Sequence, residues 1–207
     1  MGGGLAAVLG AASLMQGAFG RRPGARRVSL WRFGEGNEAE LGPRDDLGPL
    51  DVGDVLVVGA GAVASGFFYW CREVGLVGNW EVTDGDRIVL HNTNRAMTFT
   101  AADAGWSGGT EQGPGRMKVE AVAPGLNVHK FSGWYENWRL ARGDRRPDLV
   151  LPLANDFDVR TAIGQRGENL LVHATTSPSW TAQLHRHIAG HDDCIDCRLP
   201  RGIEVRF

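Results

Sequence analysis

Val55-Leu56-Val57-Val58-Gly59-Ala60-Gly61-Ala62-Val63-Ala64-Ser65 is the stretch that decides how this chain folds. Its first four residues are wholly apolar and mostly β-branched, as in a strand buried on both faces of a parallel sheet. Gly59 and Gly61 then open a tight turn. Phe67, Phe68, Trp70 and Val74 carry on as an apolar helical run that Gly75 can end. Strand, glycine turn and helix form the unit in which backbone N–H groups and a helix N-terminus receive a phosphate. Alone the signal is weak, because a tight turn that holds no ligand reads the same way.

Working outward, Trp80-Glu81-Val82-Thr83 reads as a second strand ending at Asp84, and 117–123 as a helix stopped by Pro124. Leu149-Val150-Leu151 reads as a third strand, 155–166 as a helix and Leu170-Leu171-Val172-His173-Ala174 as a fourth strand. Strands alternating with helices predict an α/β, Rossmann-like fold with a mostly parallel sheet and helices on both faces. The glycine-rich segment 100–115 reads as a mobile loop over the site. Residues 1–53 read as an N-terminal helix followed by an arm or connector with one strand-like patch at 28–33, and 54–207 as the nucleotide-binding domain.

The bulk figures bound the function. With 207 residues, 43% of them hydrophobic, the chain has the size of one ordinary globular domain. A net charge of −2 gives no drive toward nucleic acid. Of 22 basic residues only Lys118 and Lys130 are lysines, so a lysine in a plausible site stands out. Three cysteines, Cys71, Cys194 and Cys197, fall short of a disulfide framework and point to the cytoplasm. The apolar start, 1–16, has its arginines after it and glycines within it, so neither a signal peptide nor a membrane anchor is expected.

The second strand delivers Asp84-Gly85-Asp86 about 25 residues beyond Gly59, where a carboxylate can accept ribose hydroxyls. An NAD(P)-dependent oxidoreductase would explain Asp84 equally well, but it has no task for the residues that follow. These are His91-Asn92-Thr93-Asn94-Arg95 and Gly115-Arg116-Met117-Lys118. An arginine and a lysine near the tip of a nucleotide neutralise a triphosphate and the charge that develops as pyrophosphate leaves. Asn92 and Asn94 can orient the same phosphates or an attacking carboxylate.

Asp-x-Asp, then Asn-x-x-Arg, a distant Lys opening a helix, and a later strand followed by Asn/Asp and Arg together resemble the ThiF, MoeB and ubiquitin-activating family, from about Asp54 to Pro200. The resemblance implies ATP-dependent adenylation of the C-terminal carboxylate of a ubiquitin-like or sulfur-carrier protein, with ATP and Mg²⁺ as cofactors. It implies a nucleotide site made of the turn Gly59, Ala60, Gly61 and Ala62, the acids Asp84 and Asp86, and the phosphate ligands Asn92, Asn94, Arg95 and Lys118. Arg95, Lys118, Asn155 and Asp156 would act in catalysis. It also implies a homodimer or pseudo-dimer, for which Arg21, Arg22, Arg26 and Arg27 offer the arginine that reaches a partner's ATP.

One departure concerns the metal. The family carries a magnesium-binding Asp followed by Asn, whereas this chain reads Asn155-Asp156; the amide oxygen of Asn155 can still coordinate Mg²⁺ but brings no charge, so either Asp156 shifts into the magnesium role or metal use is altered. Asn155 would in any case serve as a helix N-cap. At the other end, Cys194-Ile195-Asp196-Cys197 is half of a zinc site, and the domain looks truncated in this zinc and crossover region. Three readings stay open there. His187 or His191 could complete a zinc site, the pair could be vestigial or redox-active, or one cysteine could accept the acyl group as a thioester. A catalytically silent scaffold subunit of the same fold is a further alternative, supported by Asn155. His173 reads as a hydrogen-bonded core histidine, Cys71 as core, and Trp134, Tyr135 and Trp138 as an aromatic group packed on the sheet.

Overall fold

The computed structural model describes residues 50–176, 182–192 and 195, together with 11, 13, 14 and 17–20. The chain divides into two compact units, Met1–Gly48 and Pro49–Phe207. In the first, the described residues are helical and end in a turn closed by Gly20 N–H donating to Gly17 O (3.0 Å). The patch expected at 28–33 and the four N-terminal arginines lie outside the described residues.

The second unit is built on strands β1 (Asp51–Val58), β2 (Val77–Asp84), β5 (Val128–Ser132), β6 (Leu149–Pro152), β7 (Leu170–Thr176) and β8 (Ala182–Ile188). They form one sheet in the order β5-β2-β1-β6-β7-β8, parallel throughout except for β8, which runs antiparallel to β7. The helices are α1 (Ala62–Val74), α2 (Lys118–Ala121), α3 (Tyr135–Arg142) and α4 (Phe157–Arg166). The expected mostly parallel α/β fold is therefore the one observed.

β1 is central because it is apolar on both faces. Alternating side chains point to opposite sides of a sheet. Val55 and Val57 accordingly join Phe68, Trp80 and Val82 in one core, and Leu56 and Val58 join Tyr135, Trp138 and Ile163 in the other. Gly75 ends α1 in the left-handed region (φ 69°), its N–H bonded near the last turn as expected. On β2, Glu81 is buried and paired with Arg142 (2.7 Å) and Arg145 (3.0 Å), which ties the end of α3 to the sheet.

Several expected elements differ in the structure. β2 begins earlier than expected, at Val77, and α2 is a single turn, 118–121. β5 and β8 were not anticipated, because Val-His-Lys-Phe-Ser and Ala-Gln-Leu-His-Arg-His-Ile are too polar to read as buried strands. They lie at the two sheet edges, where one side of the strand faces solvent. The segment 100–115 is not a loop over the site but a structured excursion. It carries a small hairpin of β3 (Trp106–Ser107) and β4 (Thr110–Glu111), with Gly108 and Gly109 at positive φ in its turn. Arg116 holds its base to Asp103 at 2.6 Å, and burial notwithstanding, the Thr100 and Arg116 contacts keep that carboxyl below its ordinary pKa.

Candidate functional site

In an open parallel sheet the ligand crevice lies beyond the carboxyl ends of the strands, where the chain order reverses on either side of the first strand. Here that point is the gap between β1 and β6, and a cavity of about 490 Å³ opens there. This is the size of a small-molecule site.

The two glycines of the turn do different jobs. Gly59 sits at φ +101°, and a Cβ there would fall 2.6 Å from Ala154 N and 2.9 Å from its Cα. The backbone of the β6–α4 loop crosses directly over it, with Leu153 and Ala154 N–H both donating to Val58 O (2.8 Å each). Gly61 has ordinary extended backbone (φ −90°, ψ −155°), and a Cβ there would meet nothing within 4 Å. Packing among the described residues does not require glycine at 61. The space in front of it belongs to the cavity, which Gly61 lines.

Asp84, at the end of β2, braces this turn. Its Oδ2 accepts from Ala60 N–H (2.7 Å) and its Oδ1 from Asp86 N–H (2.8 Å). Each oxygen keeps a second lone pair for a ligand hydroxyl. Beyond it, Asn92 closes a short 3₁₀ turn by accepting from Val89 N–H through Oδ1 (3.0 Å), which leaves its NH₂ as the group able to donate. Ser65 anchors the same segment to α1, accepting from Met97 N–H (3.1 Å) while donating to Ala62 O (2.8 Å). Arg95 lies between these two fixed points. It lines the cavity, is exposed, and makes no side-chain hydrogen bond or ion pair among the described residues.

Lys118 is drawn to the same cavity by a two-point contact with Asp86. Its N–H donates to Asp86 O (2.9 Å), and its Nζ lies 2.6 Å from Asp86 Oδ2. On the other side stand Asn155 and Asp156. The helix N-cap is Asp156 and not Asn155 as expected: Asp156 Oδ1 accepts from the N–H groups of Asp158 (2.8 Å) and Val159 (3.2 Å). Arg160 Nε steadies this loop by donating to Ala154 O (2.8 Å).

One cavity thus brings together Gly59, Gly61, Ala62, Asp84, Asp86, Asn92, Arg95, Lys118, Asn155 and Asp156. Two expected residues are not on its wall. Ala60 is fully buried beneath the turn and spends its N–H on Asp84, and Asn94 is exposed elsewhere. The sequence reading missed Phe99, Trp134 and Tyr135, which line the cavity as well. Tyr135 is buried with its hydroxyl 3.4 Å from the buried Glu168, and burial pushes the pKa of both groups up.

The cysteine and histidine expectations fare unevenly. Cys194 and Cys197 lie outside the described residues. Among the described residues no group of three His, Cys, Asp or Glu side chains is placed to hold a metal ion. His187 is instead stacked on His173, with ring centroids 5.1 Å apart, and His173 also stacks on His185 at 5.0 Å. His173 is buried as expected, but neither ring nitrogen has a hydrogen-bond partner among the described residues. Cys71 is core, and burial pushes its thiol up to about 12. No helix among the described residues is long and apolar enough to cross a membrane.

Fold and cleft define a Rossmann-like α/β domain with a crevice at the carboxyl ends of its parallel strands. No family model and no curated protein matches the chain. Solved structures do, and the fold they share with it is that of MccB, a ThiF/MoeB-like adenylating enzyme. Escherichia coli MccB with ATP matches at 14% identity and a TM-score of 0.53, over 70% of this chain and 43% of that one. The same enzyme with AMPCPP and MccA matches at 14% identity and 0.52, over 70% and 42%. The microcin C7 biosynthetic enzyme MccB in complex with N-formylated MccA matches at 14% and 0.52, over 71% and 43%. The chain therefore spans about two fifths of the length of these MccB chains. At this identity the likeness establishes the fold.

Proposed function

We propose that this chain binds ATP with Mg²⁺ in the cleft and adenylates the C-terminal carboxylate of a peptide or small carrier protein. In that reaction a carboxylate oxygen attacks the α-phosphorus, the bond from that phosphorus to the bridging oxygen breaks, and pyrophosphate leaves. The observation that carries the reading is the convergence of a glycine turn, two acids, Arg95 and Lys118 on one cavity. The turn and Asp84 suit a nucleoside, and the two cations suit the charge that builds on the departing pyrophosphate. MccB, solved with ATP and with its MccA peptide, supplies a precedent for this fold.

The site has oxygen donors of the kind Mg²⁺ takes. Asp156 keeps Oδ2 beyond its capping bonds, and Asn155 offers a neutral carbonyl. When bound there, the ion would neutralise phosphate charge. The acceptor is a free C-terminus, either of a ubiquitin-like or sulfur-carrier protein, as the sequence resemblance suggests, or of a short peptide. Cys71 is unsuited to a later thioester step, since its thiol is buried and held neutral.

The test is pyrophosphate-to-ATP exchange by the full chain with Mg-ATP and candidate substrates ending in a free carboxylate, beside Lys118→Ala. Substrate-dependent exchange that the variant loses supports adenylation. A second reading, a nucleotide-binding scaffold, is favoured by Asn155 standing where the family has an acid. It predicts ATP binding without exchange. Preference for NAD(P) over ATP would sink both.

A further inference from the structure

Trp134 is placed in a way that neither core packing nor the reaction chemistry explains. It follows β5 and stands just ahead of α3, yet it makes no side-chain cap, and 52% of its surface is exposed while its neighbours Tyr135 and Trp138 are buried. It lines the same cavity as Asp84 and Gly61. Between the two acids of β2 and its following turn sits Gly85, and a Cβ there would fall 2.5 Å from Cε2, 2.6 Å from Cδ2 and 3.0 Å from Cζ2 of Trp134. Cε2 and Cδ2 form the bond shared by the two indole rings. Any approach in the ring plane would meet outer atoms first, so Gly85 lies against the face of the indole.

We propose that Trp134 is the platform on which the base of the bound nucleotide stacks, and that Gly85 is glycine so that the indole can lie flat beside Asp84. This rests on the nucleotide reading of the cleft and goes beyond it by assigning the base and the way it is read. With one face covered by Gly85, the other face is left for the cavity. The platform is rigid, because Thr83 Oγ1 holds the preceding carbonyl, Gly133 O, at 2.7 Å and buried Tyr135 follows. A fixed ring spares a ligand the cost of ordering it.

The side chains beside it are already engaged. The Thr83 hydroxyl donates to Gly133 O and the Tyr135 hydroxyl faces Glu168, while the lone pairs that Asp84 keeps beyond its two backbone N–H bonds go to the ribose hydroxyls. Recognition through the face of the base follows, and this favours the larger purine over a pyrimidine. Base–aromatic stacking at such a site is lost on truncation to alanine, and about a tenfold drop in affinity is the expected scale.

The experiment is calorimetric titration of the full chain with Mg-ATP, Mg-CTP and inorganic tripolyphosphate, on wild type, Trp134→Ala, Trp134→Phe and Gly85→Ala. Trp134 is half exposed, so its variants should fold, and circular dichroism checks this. The expected result is ATP binding about tenfold weaker in Trp134→Ala, largely kept in Trp134→Phe, and weakened in Gly85→Ala, whose Cβ displaces the indole. Tripolyphosphate should bind all four alike, and ATP should lose its advantage over CTP only in Trp134→Ala and Gly85→Ala. ATP binding that is equal in wild type and Trp134→Ala would overturn the platform and leave the nucleotide site standing. Equal losses for ATP and tripolyphosphate would overturn it too, by placing the effect at the phosphates. No ATP binding by wild type would remove the nucleotide reading and the platform together.

Discussion

Lys118 Nζ lies 2.6 Å from Asp86 Oδ2, so the lysine best placed to meet a triphosphate is held by a carboxylate on the same wall. Lys118 is largely covered and Asp86 half exposed, which puts the pair between a surface ion pair and a buried one. Such a contact contributes about 1 kcal/mol or less and weakens in salt. Replacing Asp86 by Asn releases the ammonium. Tripolyphosphate should then bind roughly two- to fivefold more tightly at low ionic strength, with the gain fading as salt is added. Calorimetry at two salt concentrations measures this, and unchanged affinity would mean that Asp86 does not hold Lys118 back.

Gly59 and Gly61 should respond to the same substitution in opposite ways. Alanine at 59 would need φ +101° and would drive Cβ into Ala154, so Gly59→Ala should cost about 3 kcal/mol of stability. Alanine at 61 meets nothing among the described residues, so Gly61→Ala should cost about 1 kcal/mol or less, as a change of N-cap residue. Its Cβ would instead occupy ligand space, and ATP affinity should drop about tenfold or more. Urea denaturation beside ATP titration separates the two. Loss of stability in Gly61→Ala without loss of affinity would argue that this glycine serves the fold.

The legible part of the molecule is where a local pattern and a global role coincide. Val55 to Val58 read as a buried strand from their apolar, mostly β-branched run ahead of the glycine turn, and Asp84, Asp86, Arg95 and Lys118 carry a spacing that few chemistries need. They indeed converge on one cavity. Edge strands hid because half of each faces solvent, so Val128–Ser132 and Ala182–Ile188 lack an apolar run. Trp134 hid for another reason. Beside Tyr135 and Trp138 it looked like one aromatic cluster, but only those two are buried and stacked, with centroids 6.0 Å apart. The sign that separates Trp134 is Gly85, 49 positions earlier in the chain and lying between the two acids. The N-cap of α4 fell one residue later than expected, because both Asn155 and Asp156 suit the position and only backbone geometry chooses between them.

Cys71 offers a simple check on the packing of α1. It is buried, and the cost of desolvating a thiolate raises its thiol to about 12. At about pH 8 it should therefore resist iodoacetamide in the folded protein and react at an ordinary rate once denatured. Peptide mapping by mass spectrometry reads this out. Rapid alkylation of Cys71 in the native chain would contradict both the buried site and the neutral thiol.

His173 makes stability depend on pH in a defined direction. Burial first, then the neighbouring His187 and His185 rings and Arg160, lower its pKa from 6.5 to about 4. Between those two values the unfolded chain binds a proton that the folded chain refuses, so stability rises with pH across the window. The contribution is fully present above about pH 6.5 and is lost as pH falls toward 4, a change of about 3 kcal/mol. His173→Phe keeps a flat ring in the stack with His185 and His187 and removes the proton uptake. Urea midpoints measured from pH 4 to 7 should fall steeply in the wild type at the acid end and less steeply in the variant. Parallel curves would show that His173 does not set the acid sensitivity of the β7–β8 pair, and a variant that unfolds throughout would be replaced by His173→Gln in the same comparison.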